Sequence, residues 1–232
     1  MAIIAHRGDI AHWPENTLES VLAASRSDAD GIEFDVGLSA DGTWWLMHDK
    51  TLDHVTAASG PIGSYRDVEL DALTIDGGAG YSGQAGIHLV RLSFVLQALA
   101  GYTGKLIIDV KEGAPEAHAA IAYWLQGRPD SYVICRTTAG ASAVKAVDPG
   151  LTTITLVNEV WHRDVDVFLA DARFVLQGWQ SISADAGGTL AMFVNFDKGA
   201  GVQDERALMQ AARRWGVAFV ISNRIDVALA SR

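Results

Sequence analysis

Short apolar segments alternate with amphipathic segments along most of the chain. Apolar runs of strand length predict eight β-strands, and the spacing of apolar residues between most of them predicts helices. The strands are predicted at residues 2–5, 31–36, 43–47, 105–110, 132–135, 152–157, 190–194 and 218–221. A ninth candidate at 174–177 and a further segment at 165–172 have no firm place in this order. Helices are predicted after Asn16 or Thr17 and at 92–100, 115–125, 141–147 and 204–215.

This alternation predicts a parallel sheet with helices between its strands. Eight strand–helix units in 232 residues favour a closed (β/α)8 barrel, the TIM barrel, over an open sheet. No Gly-x-Gly-x-x-Gly turn follows the first strand, which weakens the open dinucleotide-binding alternative. Residues 50–91 are rich in glycine and interrupt the rhythm, so we interpret them as a small insertion after the third strand, at one mouth of the barrel. We expect residues 1–232 to form a single domain.

Composition restricts where such a protein works and what it binds. Cys135 is the single cysteine, which excludes an internal disulfide and fits a reducing cytoplasm. The first residues resemble neither an export signal nor a membrane span, so we expect a cytoplasmic protein without stable membrane association. A net charge of −10 argues against nucleic acid as a partner. An anionic small molecule is still compatible, because a metal ion and a few cations can reverse the local field. The sequence leaves a homo-oligomer open.

Ionisable side chains lie at the ends of four consecutive predicted strands. In a (β/α)8 barrel the active site is built at the C-terminal strand ends and in the loops that follow them. These ends carry His6-Arg7, Glu33-Phe34-Asp35, His48-Asp49 and Asp109-Val110-Lys111. Residues two apart in a strand share a face, so Glu33 projects with Asp35, and Asp109 projects with Lys111.

Three carboxylates at one mouth would repel each other unless a cation lay between them. Oxygen ligands alone favour a hard divalent ion, Mg²⁺ or Ca²⁺, over zinc. Each feature by itself has an ordinary structural interpretation, such as a strand-end hydrogen bond or a surface ion pair. A barrel that needed only to be soluble would not require ionisable groups at four consecutive strand ends, so the combination favours a functional site.

The N-terminal part of the chain also resembles a known family. Five motifs resemble, in their order and spacing, the opening signature of the glycerophosphodiester phosphodiesterases. They are His6-Arg7-Gly8, Pro14-Glu15-Asn16-Thr17, Gly31-Ile32-Glu33-Phe34-Asp35-Val36, Asp41-Gly42 and His48-Asp49. Residues 52–60 resemble the L-x-R-T-T-x-x-G passage that follows this signature, and residues 105–111 match more weakly. Beyond them, only the strand–helix alternation agrees.

The resemblance implies a TIM barrel that hydrolyses glycerophosphodiesters to an alcohol and glycerol 3-phosphate with the help of a divalent metal ion. It implies that His6 and His48 are the acid–base pair and that Arg7 and Lys111 bind the phosphate. It further implies attack by the glycerol 2-hydroxyl, which gives a cyclic phosphate. The implied metal ligands are Glu33, Asp35 and Asp109.

Three positions depart from the family pattern. Asp109 stands where a glutamate is usual, and its shorter side chain would reach a metal ion through water. Residues 192–195, Met-Phe-Val-Asn, replace a tryptophan-threonine motif of the alcohol-side pocket. Asn223 replaces the usual aspartate after the last strand.

Other functions share parts of this pattern. Phosphosugar decarboxylase barrels share the Asp-x-Lys pair but need an aspartate where this chain has Ala114. The two-histidine barrels of spider-toxin phospholipases D are secreted and disulfide-bonded, unlike a chain with one cysteine. Phospholipase D-like action on lysophospholipids and an inactive barrel with a binding role stay as alternatives. The retention of both histidines and of Glu33 and Asp35 disfavours the inactive barrel.

Overall fold

The computed structural model describes residues 1–156, 166–171, 189–194 and 202–232. The strands are β1 Ala2–His6, β2 Gly31–Leu38, β3 Trp44–Leu46, β4 Lys105–Val110, β5 Ser131–Cys135, β6 Thr152–Leu156, β7 Val167–Asp171, β8 Thr189–Val194 and β9 Phe219–Ser222. The helices are α1 Leu18–Ser25, α2 Asp67–Leu70, α3 Leu92–Ala98, α4 Pro115–Leu125, α5 Thr138–Val147, α6 Val202–Arg214 and α7 Ile225–Leu229, with a 3₁₀ turn at Ile62–Ser64. Within these ranges no helix is long and apolar enough to cross a membrane.

Eight of the strands form a parallel barrel. They neighbour each other in the order β1, β2, β4, β5, β6, β7, β8 and β9, and β9 pairs back with β1 from Ala2↔Phe219 to Ala5↔Ser222. This pairing joins the last strand to the first. The α/β barrel class predicted from the alternation of strands and helices is therefore confirmed.

The third predicted strand is not one of the eight, which corrects the strand assignment made from the sequence. β3 runs antiparallel to β2, with Val36 opposite Leu46 and Leu38 opposite Trp44. The connection 39–43 is too short for the crossover that parallel neighbours need, so it closes a hairpin. β4 takes the place beside β2, and the eighth barrel strand is β7, inside the segment 165–172. The ninth candidate at 174–177 lies outside the described residues.

Local sequence explains where the helices begin. The Thr17 hydroxyl accepts a hydrogen bond from the Ser20 N–H at 3.1 Å, and the Ser20 hydroxyl accepts one from the Thr17 N–H at 3.2 Å, which caps α1 reciprocally. Pro115 opens α4, where its missing N–H costs nothing. The predicted helices are confirmed, α4 with the predicted ends and the others with shifted ends, whereas α2 and α7 were not predicted.

The barrel wall separates two apolar layers. Its inner face carries a cluster that includes Ile4, Ile107 and Ile154, and its outer face packs residues such as Phe34 and Ile108 against the helices. Since inward-pointing residues recur every second position, the next inward residue after Ile4 is His6 and the next after Ile107 is Asp109. A polar layer therefore lies directly above the apolar interior at the C-terminal mouth.

The insertion has an apolar cluster of its own. Residues of segment 50–91 pack with Trp45 and Met47, which belong to the hairpin and the residue after it. Isolated bridges such as Thr56↔Ile75 and Thr74↔His88 replace regular strands. The remaining members of the cluster are Leu52, Val55, Ile62, Leu70, Ile75, Ile87 and Leu89.

Candidate active site

His6 ends β1 and is buried in the barrel wall. Its Nδ1 is hydrogen-bonded to the side-chain oxygen of Asn223, the residue after β9, and the edge of the Phe193 ring packs on it with centroids 4.5 Å apart. If Nδ1 carries the proton, Nε2 is an acceptor, and the Arg7 Nε–H lies 3.2 Å from it. Burial, followed by the charge of Arg7, lowers the pKa of His6 to about 3. The ring is therefore neutral at neutral pH.

Arg7 links β1 to the carboxylates. Its backbone has a left-handed φ of 55°, and its N–H donates to Glu33 Oε2 at 3.0 Å. The guanidinium pairs with Glu15 and lies 3.3 Å from Asp35 Oδ2. Burial opposes the charge, but Asp35 and Glu15 outweigh it and raise the pKa of Arg7.

Glu33, Asp35 and Asp109 form one buried cluster, as their sequence spacing predicted. An oxygen from each lies within 4.8 Å of the others. Burial, Asp35 and Asp109 together raise the pKa of Glu33 well above its ordinary value. Asp35 behaves oppositely, because Lys111 and Arg7 overcome its burial and hold its pKa below the usual range.

Two oxygens of this cluster test whether it fits a metal ion. Glu33 Oε1 and Asp109 Oδ1 are buried and have no hydrogen-bond partner among the described residues. Buried, unpaired carboxylate oxygens are costly unless a cation satisfies them. An all-oxygen set of this kind suits a hard divalent ion. The cluster can therefore hold a divalent metal ion.

Lys111 closes the other side of the cluster. Its Nζ lies 2.6 Å from Asp35 Oδ1 and 2.7 Å from Asp109 Oδ2. Burial opposes the ammonium charge, but Asp35 and Asp109 raise the pKa of Lys111. Arg136, the residue after β5, also contacts Asp109 Oδ2, at 2.6 Å. Arg136 was not predicted as a site residue, although a cation directly after a predicted strand was a usable signal.

Two further residues of the first loop contact the site residues, and neither was predicted to have a role there. Asn16 Nδ2 donates to Asp35 Oδ2 at 2.9 Å, and Asn16 Oδ1 accepts from the Asp35 N–H at 3.0 Å. Glu15 accepts from the Ala79 N–H at 3.0 Å and pairs with Arg7, so it ties the insertion to the site. Their position in the Pro-Glu-Asn-Thr motif was the available signal.

His48 reaches the same mouth from the hairpin. The Met47 N–H donates to the Asp35 carbonyl at 3.0 Å, which brings the next residue beside the carboxylates. His48 Nδ1 lies 2.7 Å from Asp49 Oδ1, and His54 Nδ1 lies 3.3 Å from Asp49 Oδ2. His48 and Lys111 line a cleft of about 500 Å³. The cleft is completed by Asp49, Lys50, Gly113 and Arg136.

The structure thus brings all seven predicted site residues to one mouth. The three carboxylates contact or adjoin both cations, His6 lies against Arg7, and His48 shares the cleft wall with Lys111. Fold and site together define a TIM-barrel protein with a buried acidic cluster and a cationic cleft above it.

Solved structures share this fold. A phosphodiesterase from Oleispira antarctica, solved in complex with the product sn-glycerol-3-phosphate, matches with a TM-score of 0.82 and 23% identity over 100% of this chain and 96% of that one. A glycerophosphodiester phosphodiesterase from Agrobacterium tumefaciens str. C58 matches with a TM-score of 0.78 and 23% identity over 99% of both chains. At such identities the likeness establishes the fold.

Sequence comparison then shows which family the N-terminal half of the chain resembles. Residues 6–116 match the model of the Glycerophosphoryl diester phosphodiesterase family. A glycerophosphodiester phosphodiesterase of Caldanaerobacter subterraneus subsp. tengcongensis is 34% identical over 112 residues, which are 48% of this chain and 45% of that protein. The matched segment thus spans less than half of that relative. The resemblance indicated by the motifs is confirmed: residues 6–116, just under half of the chain, match the glycerophosphoryl diester phosphodiesterase family.

Proposed function

We propose that this chain is a metal-dependent phosphodiesterase that hydrolyses glycerophosphodiesters to an alcohol and glycerol 3-phosphate. The observation that carries the proposal is the buried cluster of Glu33, Asp35 and Asp109 with two unpaired oxygens, flanked by Arg7 and Lys111. The cleft above it has the volume of a small-molecule site. The family match and the product complex of the Oleispira relative support the same substrate class.

The metal ion and the cationic side chains would both offset the negative charge of the phosphate. Glu33, Asp35 and Asp109 would hold Mg²⁺ or Ca²⁺, and a bound divalent ion supplies positive charge that polarises a phosphoryl oxygen. Arg7 and Lys111 stay charged when buried, so they can bind the anionic oxygens and stabilise the charge that develops on them.

The two histidines would exchange protons with the substrate. Neutral His6, with Nδ1 directed at Asn223, can take the proton of the attacking glycerol 2-hydroxyl at Nε2. Asp49 orients His48 through Nδ1, so His48 Nε2 can give a proton to the leaving alcohol. Attack by the substrate's own hydroxyl yields a cyclic phosphate, which water then opens.

The first test is metal-dependent turnover of glycerophosphocholine followed by phosphorus NMR. Activity should be lost with EDTA and return with Mg²⁺ or Ca²⁺, with glycerol 3-phosphate as the final product. Asp109→Asn should weaken metal binding measured by calorimetry, because it removes a ligand charge. Full turnover in EDTA, or tighter metal binding by the Asn variant, would contradict the proposed metal site. A lysophospholipid assayed in parallel tests the alternative action.

The nucleophile is tested with a substrate whose glycerol lacks the 2-hydroxyl. The 2-deoxy analogue should bind as a competitive inhibitor but resist cleavage, because an oriented intramolecular hydroxyl can have an effective molarity of ~10⁵ M or more. A transient cyclic phosphate should be visible with the normal substrate. Comparable rates for both compounds without a cyclic species would instead indicate direct attack by water.

A further inference from the structure

The wall of the cleft beyond the phosphate site is cationic. Lys50, Lys111 and Arg136 line it together with His48 and Gly113, and Asp49 is the one carboxylate in the described lining. Asp49 lies between His48 and His54, with Nδ1–O distances of 2.7 and 3.3 Å, so two imidazoles face its negative charge. The excess charge of this wall is therefore positive, although the whole chain carries −10.

Lys50 differs from the other two cations. Lys111 and Arg136 are tied to Asp109 below the cleft. No carboxylate of the described residues lies within ion-pair distance of the Lys50 ammonium. Its backbone is fixed beside His48, because its carbonyl accepts the Ile62 N–H at 3.0 Å. Lys50 is thus an anchored cation whose charge is available to a bound molecule.

The lining lacks what a cationic alcohol would need. Quaternary ammonium groups are recognised by aromatic rings, as in aromatic cages, and protonated amines by carboxylates. The described wall contains no Phe, Tyr or Trp, and its carboxylate faces histidines. Opposite charge across a binding site, by contrast, both attracts the correct ligand and penalises the wrong one.

We propose that the cleft selects glycerophosphodiesters whose leaving alcohol carries a negative charge, and that Lys50 is the residue that determines this preference. The inference rests on the proposed function and adds the class of alcohol to it. An anionic group on the alcohol would meet Lys50 and Arg136 while the diester phosphate is held by Arg7 and Lys111. Cationic alcohols such as choline would be the disfavoured substrates.

The test uses three diesters of glycerol 3-phosphate that differ in the charge of the alcohol: choline, glycerol and 3-hydroxypropionate. We expect kcat/KM to be about tenfold higher for the anionic alcohol than for choline, since single exposed charge pairs are weak. Lys50→Glu should reverse this order, and Lys50→Met should remove most of it. Arg26→Glu is the matched control, because it makes the same change of net charge at an exposed residue that ends α1, the helix that runs from the mouth towards the other end of the barrel.

Two outcomes would overturn the inference: a wild-type protein that cleaves the choline diester at least as fast, or a Lys50→Glu variant with an unchanged ratio. Binding of the same series is measured by calorimetry at saturating Mg²⁺. If none of the diesters is cleaved, the proposed function fails, and the order of the three dissociation constants still decides whether the cleft prefers the anion.

Discussion

His6 and His48 come from similar His-containing motifs but lie in contrasting environments. His6 is 2% exposed and directed at an amide oxygen, whereas the His48 side chain is 37% exposed and directed at a carboxylate. Burial, followed by the charge of Arg7, lowers the pKa of His6 and keeps its ring neutral, which suits the proposed base. His48 lines the open cleft and is oriented by Asp49, a position that suits the proposed acid.

We expect His6→Ala and His48→Ala each to lower kcat by ~10²–10⁴-fold, the usual contribution of a general acid or base. His88→Ala, at an exposed histidine of the insertion, is the control and should keep full activity. Far-UV circular dichroism and urea unfolding check the fold, with His6→Asn as the more conservative variant. A histidine whose variant keeps more than a tenth of the activity at normal stability does not have the proposed role.

At the residue scale, the spacing of residues along a strand predicted which side chains share a face. Alternation along β2 and β4 correctly turned Glu33, Asp35 and Asp109 towards one mouth, but their close approach also depends on the direct pairing of β4 with β2. It could not show that Arg136 bonds Asp109, because that contact depends on which strand lies beside β4 in the barrel. The role of Asn16 was missed for a similar reason, since its left-handed backbone, with φ 54°, is a tertiary result.

Among the elements, the hairpin and the insertion have the largest effect on the site. β2 extends past the barrel rim and β3 runs back along it. β3, predicted as a barrel strand, is therefore the second strand of a hairpin that positions His48. A short apolar run has the same pattern in a barrel strand and in a hairpin strand, so only the short connection at 39–43 could have indicated a hairpin. The glycine-rich segment packs on this hairpin and also bonds Glu15 of the first loop, so it links the two.

Gly80 packs closely against the first loop, next to the residue whose N–H bonds Glu15. Its φ is +78°, and an added Cβ would collide with the carbonyl oxygens of Trp13 and Ile10. We expect Gly80→Ala to lower the free energy of unfolding by about 2 kcal/mol or more and to reduce activity through Glu15 and Arg7. Gly83→Ala, with φ +91° and open space around the new Cβ, should cost only about 1 kcal/mol. Equal losses in urea denaturation would show that crowding at Gly80 is not the cause.

At the scale of the whole molecule, the proposed site residues and the family match lie in the same half of the chain. All seven proposed site residues fall at or before Lys111, and the family match ends at residue 116. The strands from β5 to β9 complete the barrel around its apolar inner face, and at the mouth they add the contacts of Arg136 with Asp109 and of Asn223 with His6. Strand spacing therefore predicted the closed barrel, whereas details of the later half had no motif to guide them.

Acid should destabilise this fold through a buried histidine. His118 on α4 is fully buried between the Ala114 carbonyl, 2.9 Å from Nδ1, and the Arg136 N–H, 3.4 Å from Nε2. Burial lowers its pKa in the folded state. Below pH ~6.5 the unfolded chain binds a proton that the folded chain does not, so the free energy of unfolding falls as pH falls.

His118→Gln tests this dependence, because glutamine can donate to the Ala114 carbonyl and accept from Arg136 without titrating. We expect the variant to lose less stability than the wild type between pH 7.5 and 5, measured by urea denaturation in EDTA. His88→Gln should follow the wild-type curve. A His118→Gln curve parallel to the wild type would mean that another group causes the acid sensitivity.

The hairpin also determines where this protein can tolerate insertions and deletions. An extra residue in the exposed turn at Asp41-Gly42 would leave the β2–β3 register, and hence His48, in place. One extra residue inside β3 would turn every following side chain to the opposite face, because the period of a strand is two. His48 would then point away from the carboxylates while the barrel itself stayed closed. Insertions and deletions in relatives should therefore gather in the turn and spare the three residues of β3.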